Sequence, residues 1–282
     1  MGFEIFGLDF LYVILLFGAG SFAGFLNTVA FGGSLITLPT LIFLLNLPGL
    51  SIITQDVTHL TKVANGTNRV AILCQNFSAI LGFRRKGVSN FRYAIALTLP
   101  ALVGATLGVI LATRTPDKVF EPILAVVMVS MLFLALFNPT EWLQSKINPG
   151  GTNHKIITGI ALFFVGIYGG FIQAGVGLLI IAALRIIDGS DLVITNSLKV
   201  FIIFFYTIIA LGIFVSQGQV NWVLGITLAT GNATGAWLGS HWAVKAGDKW
   251  IKVVLVATVL VFAMDLMLKP FNLDIRSLLG LG

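Results

Sequence analysis

The sequence predicts an all-α polytopic membrane protein made of two inverted-topology repeats. Each repeat is expected to hold a Gly-broken helical hairpin plus about three spanning helices. Three observations carry this reading. The 282 residues are 57% hydrophobic and 10% charged, with a mean hydropathy of +1.00, whereas soluble domains carry about 25% charged residues. The apolar runs are long and continuous, unlike the short alternating segments of a β-barrel. Short phrases recur in the same order in both halves, and basic residues place equivalent loops on opposite sides of a membrane.

A spanning helix needs about 20 apolar residues. Hydrophobic segments fall at 8–31, 34–47, 57–83, 92–113, 119–138, 155–170, 176–187, 193–216, 221–245 and 251–269. Segments 34–47, 155–170 and 176–187 are short. About 14 residues rise only about 21 Å through a ~30 Å hydrocarbon core. The short pieces flank two breaks, AFGGSLITLP from Ala30 and AGVGLLIIA from Ala174. The start, MGFEIFGLDF, is acidic and has neither a basic n-region nor a small-residue cleavage site, so the first apolar run is expected to be retained.

Four phrases echo one another. GFLNTVAFGGSLI from Gly24 resembles GFIQAGVGLLI from Gly170, and Thr67-Asn68 resembles Thr195-Asn196. GVSNF from Gly87 resembles GQVNW from Gly218, and GATLG from Gly104 resembles GAWLG from Gly235. A tandem duplication follows, with a first repeat over 1–138, a cytoplasmic linker over 139–154 and a second repeat over 155–282. The loop with Arg84, Arg85, Lys86 and Arg92 is cytoplasmic by the positive-inside rule, while its counterpart SQGQVNW has no basic residue. Inversion results, a recurrent transporter design. The N-terminus is expected outside, and Lys245, Lys249 and Lys252 inside. Segment 8–31 is long enough to cross fully, which would make the first hairpin asymmetric.

A half-helix that starts in mid-membrane points free N–H groups and a positive dipole end into the protein, a ready site for an anion. Ser34 is the expected N-cap of such a helix, with Gly32 and Gly33 leaving its first N–H groups uncovered. Gly175 and Gly177 play this part in the second half. Close helix packing at small residues is the competing reading of both breaks. Asn27 and Gln173 stand at corresponding positions before the breaks, placed to bond either the freed backbone or a substrate oxygen. In segment 57–83, Gln55, Thr58, His59, Lys62, Asn65, Arg69 and Asn76 form one helical stripe. Such a stripe should not face lipid, where a central Arg or Lys costs about 2.5–3.5 kcal/mol. Arg69 lies mid-span. Lys199 follows Thr195-Asn196, and snorkelling to the interface is its alternative role. No acidic residue lies at comparable depth to neutralise the two cations. The expected binding set is Asn27, Gly32, Gly33, Ser34, Asn65, Asn68, Arg69, Gln173, Gly175, Gly177, Asn196 and Lys199. The four-residue spacings Gly104/Gly108 and Gly231/Gly235/Gly239 read instead as tight helix contacts.

Other chemistry lacks parts. Cys74 is the single cysteine, which excludes an intrachain disulfide and a cysteine metal cluster. HExxH, GxSxG and paired deep carboxylates are missing from the sequence, so no catalytic residue, metal or cofactor is expected. The net charge of +6 reports topology and not nucleic-acid binding.

The GFLNTVAFGGSLITLPTLI segment, the GTN at Gly66–Asn68 before a basic loop, TNSLK at Thr195–Lys199 and the two GA-x-LG segments resemble the TauE/SafE family of sulfite and sulfonate exporters. The resemblance spans nearly the whole chain. It implies a helical carrier of two homologous halves that exports small oxidised-sulfur anions, such as sulfite or sulfoacetate, across a bacterial inner membrane. The expected partners are therefore a small anionic substrate and the lipid bilayer. A channel, a carrier of a different small anion and an intramembrane enzyme are the alternatives.

Overall fold

The computed structural model describes residues 4–5, 8–29, 37–38, 41–42, 60–85, 91–137, 154–187 and 192–242. The described part is helical apart from a small antiparallel ribbon in which β1 (Glu4–Ile5) pairs with β2 (Leu8–Asp9). Among the described residues the helices with full bounds are α1 (Phe10–Val29), α2 (Leu60–Arg85), α3 (Phe91–Arg114), α4 (Asp117–Phe137), α5 (His154–Phe171), α6 (Val176–Ile186), α7 (Leu192–Ser216) and α8 (Trp222–Trp242). The break at Gly32–Ser34, segment 34–47 apart from residues 37–38 and 41–42, and the spans beyond 242 lie outside the described residues.

The most polar helix is deeply enclosed. α2 buries 14 of its 26 residues, including Thr61, Lys62, Asn65, Thr67, Asn68, Arg69, Gln75 and Asn76. The described part of the stripe, Lys62, Asn65, Arg69 and Asn76, therefore faces protein, as the cost of charge in lipid demands. The outer helices show the reverse pattern. Ile95, Leu99, Val103, Leu107 and Leu111 of α3 are exposed at four-residue intervals, as are Ile156, Ile160 and Phe164 of α5. Rows of this kind are lipid-facing surface, because contiguous apolar patches are not left to water. Arg92–Arg114 and Ile194–Ser216 are each long and apolar enough to cross a membrane.

α2 and α7 run antiparallel. Gly66 lies against Gln219 and Phe214, Arg69 against Phe214, and Phe77 against Phe204. A locked turn joins α7 to α8. Gly218 has φ 67°, and the chain closes with Gln219 N–H to Phe214 C=O at 2.9 Å and Gly218 N–H to Val215 C=O at 3.0 Å. These two bonds satisfy the last carbonyls of α7 in a Schellman motif, where glycine adopts the left-handed conformation at least cost. Asn221 then caps α8 by accepting from Leu224 N–H at 3.1 Å, and its own N–H donates to Thr67 Oγ1 at 2.9 Å. The turn is thereby fastened to the middle of the fold.

Two helix pairs make the closest contacts, and glycines set both. On α3, a methyl added at Gly104 or Gly108 would strike the carbonyls of Phe163 or Ile167 on α5. On α8, one at Gly231 or Gly235 would strike those of Phe17 or Ser21 on α1. Phe17 and Phe163 stand 146 residues apart, as do Ser21 and Ile167; Gly104 and Gly231 stand 127 apart, as do Gly108 and Gly235. The reciprocal contacts keep both intervals. Gly166 and Gly170 meet Ala101 and Ala105, while Gly20 and Gly24 meet Leu228 and Asn232. By these contacts GATLG matches GNATG from Gly231, one helical turn before the GAWLG phrase that sequence likeness selects.

Candidate functional site

The second break places the end of one helix beside the start of another. α5 stops at Phe171, with Ile172 N–H still bonded to Tyr168 C=O at 2.7 Å. Gly175 then turns with φ 72°, and α6 starts at Val176. No side chain caps α6; Leu178 N–H returns to Gly175 C=O at 3.0 Å. The Tyr168 hydroxyl donates to Ala174 C=O and holds the turn against the helix it leaves. A carbonyl-rich negative end and an N–H-rich positive end thus meet within a few residues.

Arg69 enters this junction from α2 and is fully buried. Its Nη2 donates to Gly170 C=O at 2.6 Å and to Gly169 C=O at 3.2 Å, and its Nη1 donates to Gln173 Oε1 at 3.1 Å. The guanidinium lies 4.9 Å from the centre of the Phe214 ring. All these partners are electrically neutral. Among the described residues no carboxylate pairs with Arg69, and its Nε has no acceptor. Gln173 Nε2 donates onward to the Tyr206 hydroxyl at 2.8 Å, so α2, the break and α7 share one buried network. One turn before Arg69, Asn65 Nδ2 donates to Phe171 C=O at 2.8 Å. Its Oδ1, and both amide atoms of the fully buried Asn68, have no partner among the described residues.

The match to known proteins agrees with the fold. The family model described as sulfite exporter TauE/SafE matches residues 16–266. The chain belongs to the TauE/SafE family. It is 27% identical over 97% of its length to a probable membrane transporter protein, ORF9, of a Sinorhizobium species, covering 98% of that protein. It is 25% identical to a probable membrane transporter protein of Haemophilus influenzae, over 89% of this chain and 91% of the relative. It is 26% identical to the probable membrane transporter protein YfcA of Escherichia coli K12, over 95% of this chain and 94% of the relative. No solved structure matches. Family and relatives make this chain a membrane transporter.

In this TauE/SafE protein the expected site residues fall in different places. Asn65, Arg69 and Gln173 join at the α5 end, with Asn68 buried beside them on α2. Gly175 and Gly177 are buried at the start of α6, Gly177 already inside its first turn. Asn196 and Lys199 belong to the first turns of α7, where Lys199 Nζ donates to Asn196 Oδ1 at 2.9 Å. Lys199 is buried and lies two turns, about 10 Å along the helix, before Tyr206. Asn27 is half-buried in the last turn of α1. Gly32, Gly33 and Ser34 lie outside the described residues, as does His59 of the polar stripe. Sequence reasoning missed Tyr206 and Phe214. A signal for Tyr206 existed, because it stands seven residues after Lys199 and so on the same face of α7.

Proposed function

We propose that the protein exports small sulfur oxyanions, sulfite or sulfonates such as sulfoacetate, across the bacterial inner membrane by alternating access. One observation carries the anion reading: the fully buried Arg69 has only neutral partners among the described residues and stands next to an Asn68 whose amide is unused. A buried charge is normally paired. An anionic guest at this junction supplies the missing charge, with the first turn of α6 adding N–H groups near Gly177. Lys199 and Asn196 extend the positive path along α7, and Asn27, Gly32, Gly33 and Ser34 contribute from the first break.

Two inverted repeats, 1–138 and 155–282, joined by the 139–154 linker, form the moving frame in this proposal. The constant intervals of 146 and 127 residues between the two glycine-set helix pairs support it. With the Arg84–Lys86 loop cytoplasmic, the N-terminus is outside. An inside-negative potential then favours outward movement of a monoanion by about 2.3 kcal/mol per 100 mV, so export needs no coupled ion.

The test is efflux of sulfite and sulfoacetate from proteoliposomes, comparing wild type with Arg69→Lys, Asn68→Ala and Lys199→Ala. Saturable efflux with substrate counterflow is expected, and Asn68→Ala should slow it without loss of fold. Normal transport by every variant would overturn the charge assignment. Flux without counterflow would make the protein a channel.

A further inference from the structure

Four of the buried polar atoms without a partner among the described residues lie within one turn of α2: Asn65 Oδ1, Asn68 Oδ1, Asn68 Nδ2 and Arg69 Nε. Buried polar groups are bonded in the great majority of cases, so a local group of orphans calls for a specific occupant. Residues three and four apart are neighbours on a helix surface, which places Asn65 beside both Asn68 and Arg69. The four atoms are also of mixed kind. Arg69 Nε and Asn68 Nδ2 donate, whereas Asn65 Oδ1 and Asn68 Oδ1 accept. The orientation of Asn65 follows from its partner. Phe171 C=O can only accept, so Nδ2 must face it and Oδ1 must stay the free atom. A bare oxyanion has no hydrogen to offer either oxygen, and it would leave them unsatisfied next to negative charge.

We propose that the ligand at this site carries a hydrogen-bond donor as well as its anionic oxygens, and that Asn65 and Asn68 read that donor. The class comprises monoprotonated oxyanions and sulfonates bearing a hydroxyl or ammonium group. This specificity rests on the anion reading above and narrows it: sulfoacetate, ionised at both ends, has no hydrogen to offer and becomes a poorer substrate than monoprotonated sulfite. Arg69 Nε and Asn68 Nδ2 hold the acidic oxygens, while Asn65 Oδ1 and Asn68 Oδ1 take the O–H or N–H hydrogen. A site built to bond a particular hydrogen strongly rejects the isostere that lacks it, because its own polar atoms are then left unpaired.

The experiment uses the full protein in proteoliposomes and a matched pair of substrates, 2-hydroxyethanesulfonate and propane-1-sulfonate, which differ by a hydroxyl in place of a methyl. Wild type should take the hydroxy compound with a KM at least about tenfold lower, the effect of one well-made bond. Asn65→Leu and Asn68→Ala should each shrink that ratio. Asn68 bonds no described residue, so Asn68→Ala decides the matter if Asn65→Leu fails to fold. Equal saturable transport of both sulfonates by wild type would overturn the donor requirement and leave the anion site standing. Failure to transport either sulfonate or sulfite would overturn the anion reading itself. A preference that survives in every folded variant would take the role away from Asn65 and Asn68. Sulfite flux should follow its monoprotonated fraction while flux of the hydroxysulfonate stays flat with pH; sulfite flux that follows the fully ionised form would overturn the donor requirement.

Discussion

Arg69 donates to the carbonyl of Gly170 at 2.6 Å, and the α-carbon of that same glycine lies against the backbone of Ala105. One residue thus ties α5 to α2 by its oxygen and to α3 by its lack of a side chain. The cation occupies the negative end of α5, where the final carbonyls have no partner within the helix. Arg69 has a structural duty that any transport role must share.

Removing that side chain should therefore unfold the protein more readily. Arg69→Ala leaves the Gly169 and Gly170 carbonyls and Gln173 Oε1 without this donor. A loss on the order of 3 kcal/mol is expected, since bonds to a charged group contribute about 1.5–3 kcal/mol. Arg69→Lys keeps the charge but not the fork that reaches three acceptors, and should fall between the two. Thermal melts in detergent give the order: wild type, then lysine, then alanine. An alanine variant as stable as wild type would contradict the bonds described.

The glycine contacts give a second prediction. Gly24→Ala and Gly170→Ala each push a methyl into backbone, at Asn232 and Ala105, whereas Gly18→Ala meets nothing within 4 Å. The first two should lower the melting temperature by similar amounts, because core overpacking costs about 1–3 kcal/mol. Gly18→Ala should raise it slightly, as alanine favours a helix over glycine by about 1 kcal/mol. Unequal losses at Gly24 and Gly170 would speak against matched halves.

These contacts also mark how far sequence reading reaches. Apolar runs placed the helices closely: 92–113 became Phe91–Arg114, 193–216 became Leu192–Ser216, and 176–187 became Val176–Ile186. The expectation of a helix from residue 8 met the β1–β2 ribbon, and α1 begins at Phe10. The contacts give Gly231 and Gly235 the role of Gly104 and Gly108, one turn before the phrase that string likeness selects, since Gly231, Gly235 and Gly239 repeat every four residues. The Arg69 stripe was legible because polar residues at helical spacing stand out in apolar sequence. Gln173, one of its acceptors, was legible too, but the Gly169 and Gly170 carbonyls were not, since they are backbone atoms a hundred residues away that carry no letter of their own. Phe214 escaped for another reason: an aromatic ring facing a guanidinium and one facing lipid look alike in a sequence rich in phenylalanine.

The α7–α8 turn should fail in two separable ways. Asn221→Ala removes the cap on Leu224 N–H and should cost about 1 kcal/mol. Gly218→Ala forces a side chain into φ 67° and should cost about 1–2 kcal/mol. The turn rests on Thr67, so local opening should spread to α2. Hydrogen exchange should show faster amides at 217–224 and next at 66–69 in both variants. Exchange confined to the turn would mean that the Thr67 contact is not a structural coupling.

Gln173→Glu separates the charge of Arg69 from its structural duty. The acceptor that Arg69 Nη1 reaches at 3.1 Å is kept, so the end of α5 stays anchored. The donor to Tyr206 is lost, but the tyrosine hydroxyl can rotate and donate to the new carboxylate. Fold and melting temperature should change little. The electrostatics change a great deal, because the buried guanidinium now has a carboxylate partner and the junction becomes neutral. An anion entering that junction loses its net attraction and meets a like charge instead. Sulfite and sulfonate efflux should fall at least about tenfold, which corresponds to about 1.4 kcal/mol, while Gln173→Met should keep the cation unpaired and retain more transport. Wild-type efflux by a folded Gln173→Glu protein would show that Arg69 holds the helix end and takes no part in recognising the anion.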